Sequence, residues 1–123
     1  MDNAVILSIG LNVGGAEPEH QMRSTLSILD CIGTIRRHQI INGEWEGVKE
    51  RTIHALVELP GFVGEWPDVE VEQVVAAAAR VLGQECIAVR KANPKHVDPW
   101  TLVYADGRVT VGGTVEEFPP FGK

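Results

Sequence analysis

The order of apolar patterns along the chain predicts an α+β domain, strand-helix-strand-strand-helix-strand followed by a β-hairpin. Three observations carry this. Short β-branched runs alternate with longer stretches of helical periodicity. Glycines and prolines punctuate the boundaries between them. With 123 residues, 44% apolar and 23% charged, the chain fits a single domain able to bury a real core.

The first strand is Ala4 to Leu11 (AVILSIGL), an almost continuous apolar run of the kind found in central strands. Asn12-Val13-Gly14-Gly15 breaks it. Pro18 suits the first turn of a helix. Met22, Leu26, Leu29 and Ile32 then recur at helical spacing before Gly33 stops them. Thr34 to Ile41 reads as the second strand, with Asn42-Gly43 as a turn signal and a wider tip around Glu44-Trp45-Glu46 closed by Gly47. In Val48 to Leu59, Ile53, Ala55, Val57 and Leu59 alternate with Thr52, His54, Leu56 and Glu58, the pattern of a half-buried strand. Asp68 suits the N-cap of a second helix whose stripe is Val71, Val74, Val75, Ala78 and Leu82, ended by Gly83. Glu85 to Lys91 is a fourth strand. Trp100 to Ala105 and Arg108 to Gly112 flank Asp106-Gly107, read as a type I′ hairpin turn. The tail from Glu116 to Lys123 holds Pro119-Pro120 and is extended.

This order is the ferredoxin-like split βαβ arrangement, an antiparallel sheet with two helices on one face. One domain covers residues 1–123, its core about 4–91 and the added hairpin and tail about 100–123. Helices on one face leave the other for solvent, a ligand, the hairpin or a second subunit.

The first strand buries Val5, Leu7, Ile9 and Leu11, so Ile6, Ser8, Gly10 and Asn12 point the other way. On the third strand the same side carries Glu50, Thr52, His54, Leu56 and Glu58. First and third strands are central neighbours in this fold. Ser8, Asn12, Glu50, Thr52 and His54 are therefore expected in one patch. Arg36 and His38 join it from the second strand if Ile35, Gln39 and Ile41 face the helices. These seven residues form the expected ligand-binding surface, with Arg36 supplying charge and the hydroxyls and imidazoles hydrogen bonds. The same residues would also suit a solvated sheet face.

Lys plus Arg is 11 and Asp plus Glu is 17, a net charge of −6. A non-specific nucleic-acid binder needs the opposite balance. No run reaches the ~18 apolar residues of a membrane span, and Met1-Asp2-Asn3-Ala4 lacks a basic leader region, so a cytoplasmic protein is expected. Cys31 and Cys86 lie in no Cys-x-x-Cys pair and read as buried small hydrophobes. No metal site is expected from His20, His38, His54 and His96, which lack helical ligand spacing, and no cofactor is implied. Asn12-Val13-Gly14-Gly15 lacks the P-loop lysine, and Glu17 and Glu19 oppose an anion at that helix start. Trp45, Trp66 and the Phe118-Pro119-Pro120-Phe121 tail favour packing against a second copy, hence a homodimer or higher homo-oligomer.

The segment AVILSIGLNVG, Ala4 to Gly14, resembles the opening of the hydroxymethyl-dihydropterin pyrophosphokinase family, where a strand ends in a Gly-Ser-Asn-Leu-Gly-like turn before a helix. The resemblance extends as spacing over the N-terminal two-thirds of the chain and implies a ferredoxin-like core. That family holds magnesium-ATP with a close aspartate pair after the core. Trp100 to Arg108 offers only Asp106, and Gly-Ser-Asn is here Gly10-Leu11-Asn12. The resemblance therefore implies the fold and not the reaction, and no catalytic residue transfers with it.

The expected role is non-catalytic binding of a small molecule, with an anionic one matched to Arg36, in a homo-oligomer. Two alternatives stand beside it. One is an enzyme using His54 and Glu50 as an acid-base pair on the same face. The other is an acidic accessory or inhibitor protein, of the mobile-element type, docking on a larger protein partner.

Overall fold

The alternation in Ala4–Gly10 (β1) decides where the core sits. Val5, Leu7 and Ile9 turn to one side and are buried, and Leu11 follows them. In the computed structural model, which describes residues 4–11, 18–45, 48–60, 67–92 and 100–111, β1 is flanked on both sides. The elements run β1, α1 (Pro18–Ile32), β2 (Thr34–Trp45), β3 (Val48–Glu58), α2 (Asp68–Leu82), β4 (Cys86–Lys91), β5 (Thr101–Tyr104) and β6 (Val109–Val111). They form a six-stranded sheet in the order β2-β3-β1-β4-β5-β6. Every pairing is antiparallel. The first four strands have the expected ferredoxin-like order, and the hairpin extends the sheet beside β4.

Leu29 of α1 and Val71, Val75, Ala78 and Ala79 of α2 pack with Val5, Leu7, Ile9, Ile53, Ala55, Val57, Ile87, Val89 and Val103 in one cluster. Both helices therefore cover the same sheet face. The alanines of α2 let it approach closely, since short side chains reduce the helix-to-sheet separation. Pro67, not Asp68, caps α2. Its carbonyl accepts from the Glu70 and Val71 N–H groups, and no side chain takes part. At the other end Gly83 is left-handed (φ 67°), and the Gln84 N–H reaches the Ala79 carbonyl at 2.9 Å. Gln84 then donates its side-chain amide to the Gly10 carbonyl at 2.7 Å, tying the end of β1 to α2. Gly33 is required by a close approach: a Cβ there would lie 2.5 Å from the Glu58 carbonyl oxygen.

Three further sequence expectations change. The Asn42-Gly43 pair is not a turn. It lies in the β2–β3 ladder, opposite Arg51 and Glu50, and pairing continues to Trp45 opposite Val48. The long apolar alternation of β3 holds the register past the local turn signal. The hairpin at Asp106-Gly107 is not type I′. The Gly107 N–H donates to the Tyr104 carbonyl and the Tyr104 N–H to the Arg108 carbonyl, each at 2.9 Å, so the loop is Ala105-Asp106-Gly107. This is the three-residue loop with glycine in the left-handed position, φ 94°. Cys31 is exposed rather than buried, because the inward stripe of α1 passes through Leu29 and Ile32. Cys86 is half-buried, and neither cysteine forms a disulfide. Among the described residues no helix is long and apolar enough to cross a membrane.

Candidate functional site

The face away from the helices is built by rows of residues that the ladder places side by side. Ser8 stands opposite His54 on β3 and opposite Ala88 on β4. His54 in turn stands opposite Gln39 on β2. Antiparallel partners share a face, so Gln39, His54, Ser8 and Ala88 form one row. The next row runs through Arg37, Leu56, Ile6 and Arg90. On β5 Val103 joins the helix-side core, so Trp100, Leu102 and Tyr104 belong to this second face.

At the centre of the face, His54 Nε2 and Ser8 Oγ share a hydrogen bond of 3.0 Å, the donor set by the imidazole tautomer. Trp100 lies against the imidazole, ring centroids 5.6 Å apart at 56°. The Arg90 guanidinium sits 5.1 Å from the Trp100 ring centroid, a cation–π contact. His54 is 1% exposed. Burial, and secondarily the Arg90 charge, pull its pKa down from 6.5 to about 4. The imidazole is therefore neutral at neutral pH.

Among the described residues this face carries no helix, yet its centre is buried. Thr52, His54, Leu56, Ala88 and Trp100 are all buried. The solvated sheet face that the same residues would also suit does not describe this centre. His54 and Thr52 form a floor, while Ile6, Ser8, Gln39 and Arg90 remain half-buried and reachable.

Two expected members sit elsewhere. A bulge between Ile35 and Arg37 shifts the alternation of β2. Gln39 and Ile41, expected toward the helices, therefore share the face of His54 and Thr52. His38 stands opposite Ala55, on the helix side, and is exposed. Arg36 lies in the bulge and donates to Glu58 Oε1 at 3.0 Å. That hydrogen bond holds the Glu58 carboxyl below the usual range, and the arginine's charge is spent there. Glu50 lies on β3 opposite Gly43, its side chain outside the described residues. Asn12 lies outside them too, as do Trp66, the loop at Asn93-Pro94-Lys95 and the C-terminal tail.

Trp100, Arg90 and Gln39 were not anticipated. Trp100 meets Arg90 only because β5 folds back on β4 in the register Val89 to Thr101. The local cue was present: Trp100, Leu102 and Tyr104 alternate with the core residue Val103. The face of Gln39 depends on the register of β2, and a bulge leaves no simple mark in the sequence.

Among the described residues no three His, Cys, Asp or Glu side chains gather as metal ligands. Comparison with known proteins finds no matching family model, no matching curated protein and no matching solved structure.

Proposed function

We propose that this protein binds a small molecule, without transforming it, on the sheet face opposite the helices. The observation that carries the reading is the central cluster: a buried neutral imidazole bonded to Ser8 and braced by Trp100. Such a floor is rigid, and it presents few polar groups at fixed positions amid apolar ones, the usual make-up of a ligand site. The molecule rests on Ile6, Ser8, Gln39 and Arg90, which keep accessible surface. His54 acts by holding the Ser8 hydroxyl.

The protein acts as a homo-oligomer in this reading. Support comes from β6, an edge strand among the described residues whose Val109 and Val111 are 37% and 67% exposed. It carries no charge of the kind that protects β2, where Arg37 is exposed.

Native mass spectrometry of protein purified without dialysis tests both points. A discrete extra mass that disappears in Ser8→Ala supports the binding reading. A multimer supports the second copy. A bare monomer overturns both.

A second reading is favoured by one contact. The Ser8 hydroxyl within hydrogen-bond reach of a neutral imidazole is the arrangement of a nucleophile and its base. The enzyme alternative then rests on His54 with Ser8 in place of His54 with Glu50. Turnover that requires both residues, and that falls only as pH drops toward 4, supports it.

A further inference from the structure

Arg90 is the unusual charge on this face. The chain has 17 acidic and 11 basic residues, so carboxylates to neutralise an arginine are plentiful. Arg36 and Arg108 each have one, Glu58 and Asp106. Arg90 pairs with none among the described residues and lies instead on the Trp100 ring. It is also half-buried, where an unpaired charge is costly. Stacking on an indole engages the flat side of a guanidinium and leaves its edge of N–H donors available for other partners.

The neighbouring row of this face also carries donors, Ser8 on the adjacent strand and Gln39 three strands away on β2. The Gln39 side-chain amide has its Nε2 buried with no hydrogen-bond partner among the described residues, and native proteins rarely leave such a donor unused. Ser8 carries a hydroxyl. His54, next to both, is neutral and opposes nothing. Ile6 and Leu56 provide an apolar strip in the same row as Arg90. A cation that meets no carboxylate among the described residues, with a hydroxyl on the adjacent strand and an apolar strip alongside, matches an oxyanion carried on an apolar body.

We propose that Arg90, held on Trp100, is the anion-binding residue of this face, and that the ligand bears a carboxylate or phosphate group on an apolar body lying over Ile6 and Leu56. The proposal rests on the binding reading above and names its ligand class. Arg36, the charge expected from the sequence, takes no part. The guanidinium edge binds two oxygens at once, a geometry that lysine cannot reproduce.

The test uses the ¹⁵N-labelled full chain in phosphate-free buffer, titrated with benzoate, phenyl phosphate and neutral benzyl alcohol. The Arg90 Nε–H and Trp100 Nε1–H signals are expected to move saturably with at least one anion and not with the alcohol. A response to benzoate alone assigns a carboxylate, and one to phenyl phosphate alone a phosphate. Arg90→Gln is expected to weaken binding roughly tenfold or more, the worth of a charge-assisted hydrogen bond. Arg36→Gln is expected to leave it unchanged. Should Arg90→Gln lose its fold by circular dichroism, Arg90→Lys carries the test, with weakened binding expected in a folded protein. Equal response to the alcohol, no response to either anion, or undiminished binding in the folded Arg90 variant overturns the assignment. If a co-purified mass is still lost in Ser8→Ala when Arg90 fails, the binding face survives and only its anion site falls. If no such mass exists either, both fall.

Discussion

Protonating His54 inside the fold is costly, and this makes stability pH-dependent over a defined window. In the unfolded chain the imidazole takes a proton near 6.5. In the folded protein burial and Arg90 delay that to about 4. Between those values the unfolded state binds more protons, so stability rises with pH there. It is fully present above about 6.5, falls as pH drops through the window, and levels off below about 4 as far as this group is concerned. The gap is worth about 3 kcal/mol, since each pH unit of separation contributes about 1.4 kcal/mol. That is a large share of the ~5–15 kcal/mol of a typical domain. Urea unfolding followed by circular dichroism, at steps from neutral pH to pH 4, measures it. His54→Gln can still hydrogen-bond Ser8 but does not titrate. Its stability is expected to lose about 3 kcal/mol less than the wild type across the window. Parallel curves for the two proteins would refute the assignment of a buried neutral imidazole.

Three further outcomes are expected. Ser8→Ala removes the hydroxyl bonded to His54 Nε2 and should cost about 1–3 kcal/mol in urea unfolding at neutral pH, the range for depriving a buried polar group of a partner. Gly33→Ala forces a methyl to within 2.5 Å of the Glu58 carbonyl oxygen and 2.9 Å of Val57 Cγ1. Backbone must move, and a loss of about 1–3 kcal/mol is expected by thermal unfolding. Gly107→Ala meets no atom within 4 Å but sits at φ 94°, so its cost of about 1–2 kcal/mol is backbone strain alone. A Gly107→Asn variant that recovers part of that stability would support the cause, since Asn tolerates the left-handed region better.

Much of the architecture was legible because period and sidedness are local properties. The alternation of Val5, Leu7 and Ile9 with Ile6 and Ser8 assigns both faces of β1. The alternation of Ile53, Ala55 and Val57 with Thr52 and His54 does the same for β3. Once the order of elements makes these strands neighbours, Ser8 and His54 must share a face, and they form a hydrogen bond. Helix stripes, the stop at Gly33 and the left-handed Gly83 were visible for the same reason.

What tertiary structure alone decided depends on register and on strands distant in the chain. One extra residue in the β2 bulge moved His38 to the helix side and brought Gln39 beside His54. Because strand side chains have a period of two, a single insertion inverts every later assignment. Charge was likewise settled by distance and not by residue type. Arg36 is neutralised by Glu58, far along the chain, while Arg90 is left on Trp100. Alternation along β1 and β3 is enough to say which residues could form a polar floor on one side of the sheet. Only the folded sheet decided that the floor is buried and that Arg90 is the half-buried charge beside it, because burial and pairing are properties of neighbours that no local pattern specifies.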